Sequence, residues 1–212
     1  LQPVVFSVEG FLAEAECREL IELASGRMGP SPVLRRSSDE YRTSTAARLE
    51  SWEFELLPDI DRRVANLTRM PKDFHEDVQV AHFKSGQYYA YHADAFDPQY
   101  HPEWDFIQKG HRNRMATMLW YLVDVKKGGG HTNFPRAAGL AEPESLHTCK
   151  QGLKVLPKVG NAILFYNLHP NGNFNDLARH AACPPKSPNV TKWSANKWIW
   201  NKPVPRRTSA EG

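Results

Sequence analysis

Val78-Gln-Val-Ala-His-Phe83 is where the chain changes period. Apolar residues fall on alternate positions there, the pattern of a strand with one face toward a core. Upstream the spacing is helical. Val4-Val5-Phe6 reads as a short strand, but Phe11 to Ala24 then places Leu12, Cys17, Leu20, Ile21 and Ala24 on one helix face. Gly29 to Thr45 is polar and rich in Pro, Ser and Arg, and reads as a loop. Pro58 suits the first turn of a second helix running to about Met70, with Ile60, Val64 and Leu67 inward. Downstream of Phe83 the strand pattern recurs in Met115 to Val125, Leu153 to Leu156, Ala162 to Tyr166 and Lys192 to Trp200. Phe96 to Asn113, with Pro98, Pro102 and Gly110, reads as a long surface loop, because strands resume after it. Helices followed by about eight strands predict an α+β fold with a β-sandwich or jelly roll.

Composition narrows the function classes. A chain of 212 residues with 41% hydrophobic and 24% charged residues is ordinary globular material and suggests one domain. Lys and Arg exceed Asp and Glu by only 3, with no basic stripe, so no nucleic-acid partner is expected. No apolar run is long enough to span a bilayer, so no membrane contact is expected from these residues. Three cysteines, Cys17, Cys149 and Cys183, are too few for a disulfide scaffold. Cys17 falls on the predicted helix face as a buried thiol; spacing leaves the pairing of the other two open. Asn66-Leu-Thr68 and Asn189-Val-Thr191 are sequons that would permit glycosylation in a secretory compartment. The chain begins at Leu1 without a signal-peptide pattern, so its targeting segment is expected to lie outside this sequence.

The chemistry-bearing pattern is His92-Ala-Asp94. Residues i and i+2 of a strand share a face, so an imidazole and a carboxylate would converge. His180 lies far downstream. Two His and one carboxylate on one face leave open positions on an octahedral metal, the donor set of non-haem Fe(II) oxygenases. Alone, H-x-D is weak, since the chain has nine histidines. Lys192 follows His180 and could meet the far carboxylate of a dicarboxylate cosubstrate as a point charge. On an unbroken strand Lys192 and Trp198 face the same way, and Lys197 is expected outside. Gly128 to Gly130 lack the Lys-Ser/Thr and following helix of a phosphate loop. The remaining tryptophans, Trp52, Trp104, Trp120, Trp193 and Trp200, are expected to serve packing.

Taken in order, these segments resemble the prolyl 4-hydroxylases, 2-oxoglutarate and Fe(II)-dependent dioxygenases, and most closely the plant and algal enzymes. The matching stretches are Phe11-Leu-Ala-Glu-Ala-Glu-Cys17, Tyr41-Arg-Thr-Ser-Thr45, Gly86-Gln-Tyr-Tyr-Ala-Tyr-His-Ala-Asp94 and Arg114-Met-Ala-Thr-Met-Leu-Trp-Tyr-Leu122. Gly129-Gly-His-Thr-Asn-Phe-Pro135, His180-Ala-Ala-Cys-Pro184 and Thr191-Lys-Trp-Ser-Ala-Asn-Lys-Trp-Ile199 complete the set. The resemblance implies a double-stranded β-helix (jelly-roll) core with N-terminal helices packed on one sheet. It implies a single catalytic domain over 1–212, helical to about residue 75 and jelly roll from about 76 to 202. Iron would be held by His92, Asp94 and His180. The cosubstrate's far carboxylate would meet Lys192 and Thr132, and peptide would meet Arg42 and Ser44 on a mobile loop, Glu76, Tyr89, Arg114 and Trp198.

Three departures stand out. Phe83 replaces a Tyr whose hydroxyl usually contacts the cosubstrate, a loss of about 1.5–3 kcal/mol, unless another hydroxyl such as Tyr166 substitutes. Lys192 stands two residues farther from His180 than is usual, which a bulge near Pro188 would absorb. Trp200 replaces a His that tends to touch peptide.

The implied activity is hydroxylation of proline C4 in proline-rich polypeptides. It consumes O2 and 2-oxoglutarate, releases succinate and carbon dioxide, and is supported by ascorbate. A proline-rich peptide is the expected partner, suited to aromatic surfaces because its polyproline II form has little entropy left to lose. A monomer in the endoplasmic reticulum or Golgi lumen is expected. The alternatives are the same chemistry on another residue or substrate, and a peptide-binding module that has lost turnover.

Overall fold

The computed structural model describes residues 2–31, 41–100, 112–125 and 128–204. Trp104 and most of the loop expected before Asn113 lie outside the described residues. The strands are β1 (Val5–Val8), β2 (Gly29–Pro30), β3 (Thr45–Leu49), β4 (Val78–Phe83), β5 (Tyr89–His92) and β6 (Arg114–Tyr121), then β7 (Thr132–Phe134), β8 (Leu153–Val155), β9 (Ala162–Tyr166), β10 (His180–Ala182) and β11 (Lys192–Trp200). The α-helices that lie wholly among the described residues are α1 (Glu14–Ser25) and α2 (Leu56–Thr68). A seven-stranded sheet runs β1-β9-β6-β11-β4-β3-β2, and a four-stranded sheet runs β5-β10-β7-β8. Every strand pair is antiparallel. Two antiparallel sheets with helices packed on one of them agree with the expected jelly-roll architecture. Among the described residues no helix is long and apolar enough to cross a membrane.

Both helices pack on one face of the large sheet. Cys17, Leu20 and Ala24 of α1 and Leu57, Ile60 and Val64 of α2 join Val78, Val80, Met118, Trp120, Ala195 and Ile199 in one core. Each helix starts for a local reason. The Glu16 carboxylate accepts the Ala13 N–H at 2.8 Å, satisfying a free first-turn donor, and Glu14 and Glu16 face the positive end of the helix dipole. Arg63 of α2 binds the same Glu16 at 2.5 Å and couples the helices. α2 ends at Arg69 in the left-handed region, φ 59°. Leu67, expected inward, is 43% exposed; Met70 makes the core contact there.

The N-terminal third is less purely helical than expected. The stretch expected as a loop ends in β3, which pairs along its length with β4. Thr45-Ala-Ala-Arg-Leu49 carries little β-branched character, so its strand depends on pairing rather than propensity. Trp52, expected to pack, is 81% exposed, whereas Trp120 is buried and stacked on Phe11. Lys197 is not outside: it is 1% exposed, with its ammonium 2.6 Å from Asp61 of α2. It does face away from Lys192, but that second face of β11 is the one the helices cover.

Cys149 and Cys183 form a disulfide, and Cys17 is a buried free thiol. The glycines before Thr132 serve a close approach. At Gly129, φ 76°, a Cβ would come within 2.2 Å of the Pro184 carbonyl. That contact lets the chain leading into β7 lie against the segment following β10.

Candidate active site

Alternation in four strands builds one wall of the site between the sheets. Ala81 and Phe83 of β4, Thr117 and Leu119 of β6, and Lys192, Ser194, Asn196 and Trp198 of β11 all face the same cavity. The small sheet supplies the opposite wall. His180 opens β10 and pairs with His92, the last residue of β5. Asp94 is not in the strand as the i, i+2 argument required; it sits in the bend that follows. The bend still turns its carboxylate inward.

The three side chains converge. His92 Nε2 lies 3.7 Å from Asp94 Oδ1, and His180 Nε2 lies 3.7 Å from Asp94 Oδ2. One donor atom from each lies within 4.8 Å of the others, so the three could hold one metal ion. The backbone fixes which nitrogens are available. His92 Nδ1 meets the Ala90 carbonyl at 2.7 Å, and His180 Nδ1 meets the Ala178 carbonyl at 3.1 Å. A carbonyl can only accept, so each Nδ1 carries the proton and each Nε2 offers a lone pair. Burial and the neighbouring His180 hold His92 well below its usual pKa, in the neutral form a metal requires. Burial pushes the Asp94 carboxyl up, but His180, His92 and the Thr117 hydroxyl outweigh it and the carboxyl stays low.

Two supporting residues were missed by the sequence reading. Thr117 donates to Asp94 Oδ2 at 2.7 Å, and Asn167 donates to Thr117 at 2.9 Å. The chain orients the carboxylate from outside the donor set. Alternation along β6 was the available signal for Thr117; nothing local marked Asn167.

Lys192 occupies the far end of the cavity. It is 1% exposed, and among the described residues no carboxylate pairs with its ammonium. Two ring faces lie near, Phe83 at 5.4 Å and Tyr121 at 5.9 Å. Burial lowers its pKa to about 7. A cation desolvated without a partner is costly, so this end fits the second carboxylate of a dicarboxylate. The chain leading into Lys192 makes a turn in which the Val190 N–H bonds the Ser187 carbonyl at 3.0 Å. Lys192 then pairs with Phe83 at the start of β11.

The hydroxyls nearby are Thr132 and Tyr121. Tyr121 donates to Thr132 Oγ1 at 2.9 Å, and both are buried. Tyr166, expected as a substitute hydroxyl, is corrected by the structure. Its strand neighbour Phe165 faces His180, while Tyr166 lies 37% exposed against Phe6.

The expected peptide-binding residues divide into two groups. Tyr89 stacks on His92 with centroids 3.5 Å apart, and the Arg42 guanidinium covers the Tyr89 ring at 4.5 Å. Arg42 is buried and donates to Ser44 at 3.0 Å and Gln79 at 3.2 Å. Ser44 is also buried, so both are docked at the cavity rather than carried on a free loop. Arg114 lies 3.7 Å over Trp198 and grips Glu76 through two bonds, 2.6 and 3.0 Å. Glu76 also accepts from Trp200 Nε1 at 2.7 Å. This group forms a rim beside the triad, on a neighbouring cleft.

Known proteins resemble this arrangement. Residues 78–200 match the family model of the 2OG-Fe(II) oxygenase superfamily. Probable prolyl 4-hydroxylase 7 of Arabidopsis thaliana is 36% identical over 96% of this chain and 65% of its own length. Probable prolyl 4-hydroxylase 4 of the same plant is 37% identical over 93% of this chain and 67% of its own length. The chain thus spans about two thirds of the length of these curated relatives. The viral collagen prolyl hydroxylase of Paramecium Bursaria Chlorella virus-1, solved as a 2OG complex, superposes with a TM-score of 0.68 at 30% identity, covering 92% of this chain and 95% of that one.

Proposed function

Because the chain belongs to the 2OG-Fe(II) oxygenase superfamily and, within it, to the prolyl 4-hydroxylases, we propose that it hydroxylates proline at C4 in proline-rich polypeptides. The observation that carries this is the pairing of two ends in one cavity. A two-His, one-carboxylate cluster stands at one end, and a buried lysine without an anionic partner among the described residues stands at the other. A chelating keto acid with a second carboxylate satisfies both.

His92, Asp94 and His180 would hold Fe(II), leaving open positions for cosubstrate and O2. When bound, the iron and 2-oxoglutarate supply the oxidising chemistry, with succinate and carbon dioxide as coproducts. The side chains bind and orient. Thr117 holds the Asp94 carboxylate, Lys192 and Thr132 anchor the cosubstrate's far end, and no side chain need act as general base. Tyr89 and Trp198 offer aromatic surface to the proline ring, with Arg42 and Arg114 stacked behind them. Ascorbate would restore iron oxidised in turnovers without peptide.

The Cys149–Cys183 disulfide favours an oxidising compartment, in keeping with the secretory lumen. The protein would act there as a monomer on a peptide partner. The test is mass spectrometry of a proline-rich peptide after incubation with Fe(II), 2-oxoglutarate and ascorbate. A product heavier by one oxygen on proline is expected. Succinate formation should vanish in His92→Ala. Succinate without any hydroxylated proline would move the activity to another substrate, and no succinate at all would leave a binding module.

A further inference from the structure

A cleft of about 690 Å³ opens across the Arg114–Glu76 pair from the triad. It continues the site. Arg114 reaches the Asp94 carbonyl at 3.4 Å on one side and Glu76 on the other. Trp200, two residues beyond Trp198 in β11, lines the cleft. Two residues along a strand span about 7 Å, so a peptide lying on Trp198 runs into this space.

The charges inside are unevenly matched. Arg48 and Arg114 both bind Glu76, and Lys197 beneath binds Asp61. Lys72 is exposed at the edge, its ammonium 3.4 Å from the Pro58 carbonyl. Glu50 and Asp77 have no ion pair among the described residues, and Asp77 is half-buried. Burial raises the Asp77 carboxyl despite the fields of Arg48 and Lys197.

Two further features point to a ligand. His75 is only 9% exposed and lines the cleft, yet neither ring nitrogen makes a hydrogen bond of good geometry, only a weak contact to the Met70 backbone. Burial and Lys197 keep the ring neutral, its pKa lowered to about 4, so it adds no positive charge to the cleft wall. The Trp52 indole stands 81% exposed on the wall, held by its Nε1 donating to Glu50 at 2.6 Å. An open indole face beside two carboxylates that have no ion pair among the described residues suits an ammonium or guanidinium group.

We propose that this cleft is a substrate subsite that takes the Lys or Arg side chain of the proline-containing peptide, about two to five residues from the proline presented to the metal. The inference rests on the peptidyl-proline reading and adds a charge requirement to it.

The test compares kcat/KM for proline-rich peptides with one Lys, or Gln in its place, stepped through each position around a single target proline. Lys should improve kcat/KM about five- to tenfold at one or two positions, through KM. In Asp77→Asn/Glu50→Gln, and separately in the fold-neutral surface change Trp52→Ala, the Lys-to-Gln ratio should fall toward one. Turnover of both peptides without preference at any position overturns the subsite while leaving the prolyl reading intact. So does a preference that survives both variants. Failure of every peptide overturns both.

Discussion

Lys192 shows how one residue couples stability to function. In the unfolded chain its amine titrates near 10.5, and in the fold near 7. Below about pH 7 both states are charged, so the cost of burying the cation is fully present. Between 7 and 10.5 the unfolded chain binds more protons, and that cost fades as pH rises. Lys192→Met should therefore melt higher than the parent below pH 7, with the gap closing toward pH 10. A lower melting point at acid pH would contradict the burial argument. If the cosubstrate's far carboxylate meets this ammonium as proposed, 2-oxoglutarate affinity should weaken above pH 7, by up to about tenfold per unit, with proton uptake seen in calorimetry. Phe83 lies beside this group, its ring centre 5.4 Å from the ammonium. Phe83→Tyr adds a hydroxyl there and should lower the KM for 2-oxoglutarate about two- to tenfold. An unchanged KM would mean Tyr121 or Thr132 already fills the role. Lys192 and Phe83 are legible in the sequence through the family resemblance rather than through local pattern. The sequence reading names Tyr166 as the substitute hydroxyl and misses Tyr121, since choosing between them needs the strand partners: Phe165 takes the inward position and turns Tyr166 out.

At the scale of elements, β11 is the decisive strand, with opposite faces serving opposite ends. Lys192, Ser194, Asn196 and Trp198 face the cavity, while Ala195, Ile199 and partly buried Trp193 face the helices. Alternation places Lys197 on the helix face, but only the packed structure shows that Asp61 of α2 meets it there. The pair is nearly dry, with side chains 1% and 10% exposed. Asp61→Ala strands a buried ammonium and should cost about 3–5 kcal/mol in chemical denaturation. Replacing both partners, Asp61→Leu with Lys197→Met, should be neutral or stabilising by about 1–4 kcal/mol. A single variant within about 1 kcal/mol of the parent, inside the range of surface pairs, would show that water reaches the pair. β3 was missed for a related reason. Its alanines have no strand preference of their own and gain it from the register with β4.

Across the whole molecule, the helix-covered core and the candidate histidine donors belong to different sheets. The large sheet owns the helix-covered core, whereas the small sheet has strands of only three or four residues and carries His92 and His180. Such a sheet needs reinforcement. The Cys149–Cys183 disulfide supplies it, tying the connection between β7 and β8 to the residue just past β10, across 34 positions of sequence. Loop-closure entropy for that span gives about 3–4 kcal/mol as an upper figure. Loss of the bond in Cys149→Ser/Cys183→Ser should therefore lower global stability by about 2–4 kcal/mol. The loosening should not be uniform. Hydrogen exchange should accelerate first in β5, β7 and β10, while α1, α2 and the centre of the large sheet stay protected up to global unfolding. Metal affinity should fall in step, because two of the three candidate donors sit on the loosened strands and the third, Asp94, follows one of them. Exchange that rises equally in both sheets, or metal affinity unchanged in the variant, would show that the donors are held by the large sheet instead.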